Sequence, residues 1–209
     1  MGTSDNSQKA IKGTYSLLSI VFGGMIALLL LQTFFFAYDL FTPKSFIPAF
    51  WGLNVSLSPQ EFDLLEKGLA KYSIVGMEGS LVIYDPGFWI ALLSHIIPFI
   101  IIGSLSTVVY LLRKMIRTIY DGQPFIVENG KRMRKIALLI ILVPLSVIII
   151  RLIISLSLPD DLVINGMNVT MPIARVQHWV LIMVGLVILV VSEVFRIGVE
   201  LNKLVKEQS

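Results

Sequence analysis

The stretch Ile136–Leu156, IALLIILVPLSVIIIRLIISL, decides the fold. Its only charge is Arg151. A hydrocarbon core about 30 Å thick takes about 20 helical residues to cross, and this stretch is that long. Three more are of the same kind: Tyr15–Phe36, Phe88–Leu112 and Trp179–Phe195. The chain of 209 residues is 56% hydrophobic, and its mean hydropathy of +0.83 leaves no room for a soluble reading. The fold class expected is an α-helical membrane protein, a bundle of four transmembrane helices.

The first apolar stretch is too long for the apolar core of a signal peptide, about 7–15 residues. It leaves through bulky Phe34, Phe35 and Phe36, with no small-residue cleavage site. It is expected to stay as a membrane helix.

Charge orients the bundle. Twelve of the seventeen Lys and Arg fall at residues 1–14, 113–135 and beyond Phe195, whereas Lys44, Lys67, Lys71 and Arg175 lie on the other side. Basic residues gather on the cytoplasmic side, so the topology expected is N-in and C-in. Eight acids, including Asp39, Glu61, Asp85, Asp160 and Asp161, mark the outer side. Trp89, Trp179 and Tyr38 stand at the outer boundary as an aromatic belt, and Tyr110 and Tyr120 at the inner one. The net charge of +3 thus follows topology and gives no reason to expect nucleic-acid binding.

The domain plan expected is a cytoplasmic tail at 1–14 and a first helix at 15–39. An outer segment follows at 40–86, then a second helix at 87–112 and a basic cytoplasmic loop at 113–135. The third helix is expected at 136–157, an outer hairpin at 158–177, the fourth helix at 178–196 and a tail at 197–209. The outer segments carry folding signals of their own. Ser58-Pro59-Gln60-Glu61 is a capping box with proline in the first turn, which predicts a short helix at about 59–71. Residues 72–75 and 80–84 read as strands flanking a turn at 76–79, and Trp51–Ser56 as an edge strand. Leu162–Thr170 reads as a hairpin around Asn165-Gly166. Together they predict a small extracytoplasmic α+β cap, its β-sheet drawn from both outer loops with one short helix.

Polar groups at membrane depth are costly and call for a role. By helical rise, Gln32, His95 and Arg151 reach a similar depth in the outer half. They read as one intramembrane polar site, a ligand pocket or pore constriction. The alternatives are that Arg151 snorkels outward to lipid phosphate or to Asp160 and that His95 makes an ordinary interhelical hydrogen bond. At the inner end, Glu128, Asn129, Arg132, Glu193 and Arg196 read as a charge network or docking site. The bland reading there is a local pair of Glu193 with Arg196. Pro98 is a hinge candidate or a static kink. Ser19, Gly23 and Ala27 form a small-residue face suited to close helix packing.

Enzyme chemistry has no foothold. The chain has no cysteine and only His95 and His178, so no metal cluster, cofactor or catalytic residue is expected. His95 and Ser104 share the second helix, but nine residues place them on opposite faces.

Two stretches carry a resemblance: Gly122-Gln123-Pro124-Phe125 with Glu128-Asn129, and Glu193-Val194-Phe195-Arg196 with Gly198. In these G-x-P-F-x-x-E-N and E-x-F-R-x-G elements the chain resembles the YoaS-like family of uncharacterised four-pass bacterial membrane proteins. The resemblance spans about 90–206 and implies a bacterial inner-membrane location, with no reaction attached. Physically, Asp121-Gly122 ends the second helix, Pro124 prevents its continuation, and Asn129 reads as the cap of the third.

The function expected is therefore non-enzymatic: a sensor, adaptor or homo-oligomeric assembly unit coupling an outer β-domain to a basic inner face. Its partners would be the lipid bilayer, further copies of itself and a cytoplasmic protein. The alternative is an ion channel or small-solute transporter with Gln32, His95 and Arg151 at its constriction.

Overall fold

The computed structural model describes residues 2–41, 53–57, 77–81, 88–123, 125–156, 163–164, 167–170 and 173–207. Four helices dominate them: α1 Gly2–Phe41, α2 Phe88–Tyr120, α3 Val127–Leu156 and α4 Val176–Glu207. Each contains a run long and apolar enough to cross a membrane, at Gln8–Tyr38, Leu92–Tyr120, Val127–Leu156 and Val176–Leu201. Leu17, Ile20, Leu30, Ile149, Val187 and Val190 are exposed in large part. In lipid such side chains need no protein cover, because acyl chains are as apolar as they are.

The helices outrun the apolar stretches that announce them. The segment 113–135 reads as a loop by its charge, yet α2 continues to Tyr120 and α3 starts at Val127, so residues 121–126 alone connect them. Apolar length fixes how much of a helix lies in hydrocarbon. Where the helix stops is fixed by its end groups, and Asp121-Gly122 supplies the stop.

The chain divides into two compact units. One comprises Met1–Ala37, Pro98–Ser146 and Val176–Ser209, the other Tyr38–Ile97 and Val147–Arg175. In the first unit α1 meets α2 through large side chains. Tyr15, Leu18, Phe22, Met25, Leu29, Gln32 and Phe36, alternately three and four apart, form its half-buried stripe. Phe22 meets Tyr110 at 5.9 Å between ring centroids, and Phe36 meets Phe99 edge-on at 6.1 Å. The small-residue face of α1 is not the one used. A Cβ added to Gly23 would touch nothing within 4 Å, and Ser19 bonds back to the Tyr15 carbonyl.

The α3–α4 contact is of the opposite kind. A Cβ on Gly185 would lie 2.5 Å from Ile141 Cγ1 and 3.1 Å from the Ala137 carbonyl oxygen. Ala137 is fully covered. Among the described residues the buried positions of α4 are His178, Gly185, Ser192 and Val199, seven residues apart, the repeat of a left-handed helix pair. Pro98 in α2 and Pro144 in α3 are both fully buried inside continuous helices, at or near the division between the units.

Among its described residues the second unit holds four short strands: β1 Leu53–Leu57, β2 Met77–Leu81, β3 Val163–Ile164 and β4 Met167–Thr170. They pair antiparallel in the order β2-β1-β4-β3. Two expectations change. Residues 77–79 are not a turn, because Met77, Glu78 and Gly79 pair with Leu57, Ser56 and Val55 in register. β1 is not an edge, because it bonds β2 on one side and β4 on the other. Partner strands override the turn preference of glycine here. The helix expected at about 59–71 and the strand at 72–75 lie outside the described residues.

Gly185→Ala is expected to destabilise the protein by about 1–3 kcal/mol, since the added methyl enters a filled helix contact. Thermal unfolding of purified protein in detergent checks this. An unchanged or raised melting temperature would refute the close α3–α4 contact.

Candidate functional site

The α2–α3 connection is built from the C-terminus of α2. Gly122 has φ +74°. Its N–H donates to the Ile119 carbonyl at 3.1 Å, and the Gln123 N–H donates to the Thr118 carbonyl at 2.9 Å. Those two bonds across a left-handed residue make a Schellman ending, which glycine adopts without Cβ strain. Pro124 lies outside the described residues.

The chain re-enters a helix at Val127, which corrects the expected role of Asn129. It is the third helical residue rather than the cap, and its own N–H donates to the Ile126 carbonyl at 3.1 Å. Its side chain is 2% exposed and turns toward α2. Nδ2 donates to Thr118 Oγ1 at 2.8 Å, while that hydroxyl donates to the Met115 carbonyl at 2.7 Å. Asn129 Oδ1 accepts from Arg132 Nη1 at 2.8 Å, and the same nitrogen reaches the Lys114 carbonyl at 3.2 Å. A buried amide left unbonded would be costly, so this arrangement holds the two helix ends in one register.

The contacts continue to the other helices of this unit. Arg113 Nη2 donates to Tyr15 Oη on α1 at 3.3 Å, and its guanidinium carbon lies 5.3 Å from the Tyr15 ring centroid and 5.2 Å from that of Phe22. Phe125 of the connection stacks on Phe195 of α4 at 5.6 Å, with 64% of Phe125 left exposed. Gly130 lies under Phe195, whose Cδ1 would be 3.5 Å from an added Cβ.

The expected charge network separates into groups. Asn129 and Arg132 belong to the α2–α3 lock. Arg196 is held by its own helix, between Glu193 at 3.0 Å and Glu200 at 2.7 Å. Exposed pairs of this kind contribute little to stability. Glu128 is exposed in the first turn of α3, where a negative charge suits the helix N-terminus.

The three intramembrane polar residues fall in different units. Gln32 belongs to the first, His95 and Arg151 to the second. Arg151 is half-buried, its Nη1 is enclosed without a hydrogen-bond partner, and Arg175 of the same unit is a like charge within electrostatic reach. Among the described residues, no three His, Asp or Glu side chains converge as metal ligands. Thr118, Arg113 and Tyr15 escape a reading of the sequence, because nothing local marks residues that meet from 11 to 98 positions apart. Gly185 does leave a signal: a lone glycine in an apolar run, seven residues from His178 and from Ser192.

Residues 71–207 match the family described as a protein of unknown function, DUF2975. The match covers more than half of the chain and includes α2, the α2–α3 connection, α3 and α4. The chain belongs to the DUF2975 family. No curated protein and no solved structure matches it.

Asn129→Ala is expected to cost about 1–3 kcal/mol, because it leaves Thr118 and Arg132 without their buried partner. Gly122→Ala is expected to cost about 1–2 kcal/mol through the left-handed backbone alone. Ser146→Ala, which removes an exposed intrahelical hydroxyl, serves as the control. Reversible unfolding in mixed micelles checks the three. Equal stability of the Asn129 and Ser146 variants would show that the amide holds nothing.

Proposed function

We propose that this chain is a non-enzymatic bacterial inner-membrane protein that couples an extracytoplasmic β-domain to a basic cytoplasmic face. It works as a sensor or adaptor, or as a homo-oligomeric assembly unit, and the narrower YoaS-like relationship belongs to the same proposal. Both termini and the α2–α3 connection are cytoplasmic, by the bias of Lys and Arg toward that side. The strands from residues 53–81 and 163–170 form the extracytoplasmic cap.

One observation carries the reading. The C-terminal part of α2 is tied to α1 through Arg113 and Tyr15, and the α2–α3 connection that follows it is tied to α4 through Phe125 and Phe195. A joint so constrained suits transmission or docking better than a loop without fixed contacts would. The exposed Phe125 ring stacks on Phe195, and Glu128 three residues on and Glu193 and Arg196 beside Phe195 in sequence are exposed charges, the composition of a protein interface with an apolar centre. Asn129 and Arg132 hold the frame beneath it, and Pro98 is the hinge of the proposal. A cytoplasmic protein, or a second copy of the chain, docks there.

The alternative is a channel or small-solute transporter, favoured by the enclosed, unbonded Nη1 of Arg151. An arginine in a path excludes cations and favours anions.

Two measurements test the proposal. A photo-crosslinking residue in place of Phe125, in living bacterial cells, is expected to give one discrete protein adduct, reduced several-fold by Glu193→Gln with Arg196→Gln. Absence of any protein adduct would contradict the docking face. Pure protein in liposomes is expected to pass no chloride or potassium above empty vesicles. A flux that Arg151→Ala abolishes would replace coupling with conduction.

A further inference from the structure

Three cations, Arg113, Lys114 and Arg132, gather near the end of α2. Lys114 Nζ lies 4.6 Å from the Tyr110 ring centroid, the Arg113 guanidinium lies over Phe22, the ring that meets Tyr110, and Arg132 Nη1 reaches the Lys114 carbonyl. Among the described residues, none of these three cations pairs with a carboxylate. Arg113 donates instead to Tyr15 Oη and Arg132 to the Lys114 carbonyl and Asn129 Oδ1, while Lys114 sits over the Tyr110 ring. Arg113 does not reach out freely into water. Its guanidinium lies against the Tyr15 and Phe22 rings, and its Nε is enclosed without a hydrogen-bond partner. Partly desolvated positive charge without a counter-charge is unfavourable, and the usual remedy is a bound anion.

Depth indicates which anion. From Trp89, at the outer boundary, to Arg113 the helix rises about 36 Å, a little more than one hydrocarbon thickness. The cluster therefore stands at the level of lipid phosphates. Its donors suit a phosphate: a guanidinium fork, an ammonium with three protons and the Tyr110 hydroxyl, with Tyr110 itself exposed.

We infer that Tyr15, Tyr110, Arg113, Lys114 and Arg132 form a binding site for a phosphate oxyanion, supplied by an anionic lipid headgroup or by a soluble phosphate. The inference does not rest on the coupling role.

The test uses the full chain in lipid nanodiscs. Native mass spectrometry of protein released from mixed phosphatidylcholine and phosphatidylglycerol discs counts retained lipid. A second arm adds inorganic phosphate to protein in phosphatidylcholine discs and follows binding by phosphorus NMR. Wild type is expected to retain phosphatidylglycerol over phosphatidylcholine, with retention lowered about fivefold by Lys114→Gln and at least as much by Arg113→Gln. Lys131→Gln, which removes an exposed charge outside the cluster, is expected to match wild type. Lys114 is exposed, so its variant keeps the fold even if the Arg113 variant does not. Phosphate binding in the second arm, with the same losses, assigns the site to a soluble phosphate. No binding in either arm, or equal losses in Lys114→Gln and Lys131→Gln, would overturn the inference.

Discussion

A single buried amide sets the geometry of the α2–α3 end. Asn129 donates to Thr118 on α2 and accepts from Arg132, which reaches back to the Lys114 carbonyl. Between lipid-facing helices there is no net hydrophobic force, because leaving lipid for protein gains an apolar side chain little. Association then rests on polar bonds with fixed partners and on close steric fit. Asn129 supplies the first in a connection whose left-handed Gly122 lets α3 start five residues later.

Steric fit takes two forms in the same unit. Between α3 and α4, Gly185 brings a backbone against Ala137, and burial repeats every seven residues. Between α1 and α2, aromatic rings fill the gap, with Arg113 laid against two of them. A glycine seam tolerates no added carbon. A ring-filled seam depends on contacts between large side chains, and part of the Arg113 guanidinium is enclosed there as a consequence.

Much of this was legible in the sequence, and the exceptions have physical causes. Four spans follow directly from apolar length, as Ile136–Leu156 illustrates. Their ends do not, since charged residues such as Arg113–Arg117 continue a helix as readily as apolar ones until a stop such as Asp121-Gly122. Asn129 was recognisable as important at the start of α3, but its role depends on Thr118, eleven residues away in another helix. Arg113 and Tyr15 are farther apart still. Gly76 and Gly79 suggested a turn, yet pairing across β1 holds Gly79 in a strand. The depth count that grouped Gln32 with His95 and Arg151 measures height along a helix and says nothing about which face each residue occupies.

Membership of the DUF2975 family assigns no reaction to the chain, so its function has to be argued from such contacts. The central claim is that Asn129 and Thr118 act as one unit across α2 and α3. A double-mutant cycle of Thr118→Val and Asn129→Ala, read by reversible unfolding in mixed micelles, measures that directly. The account predicts a coupling energy of about 1 kcal/mol, with the double variant less destabilised than the two single effects summed. Strict additivity would contradict it and would leave the α2–α3 end held by its turn alone.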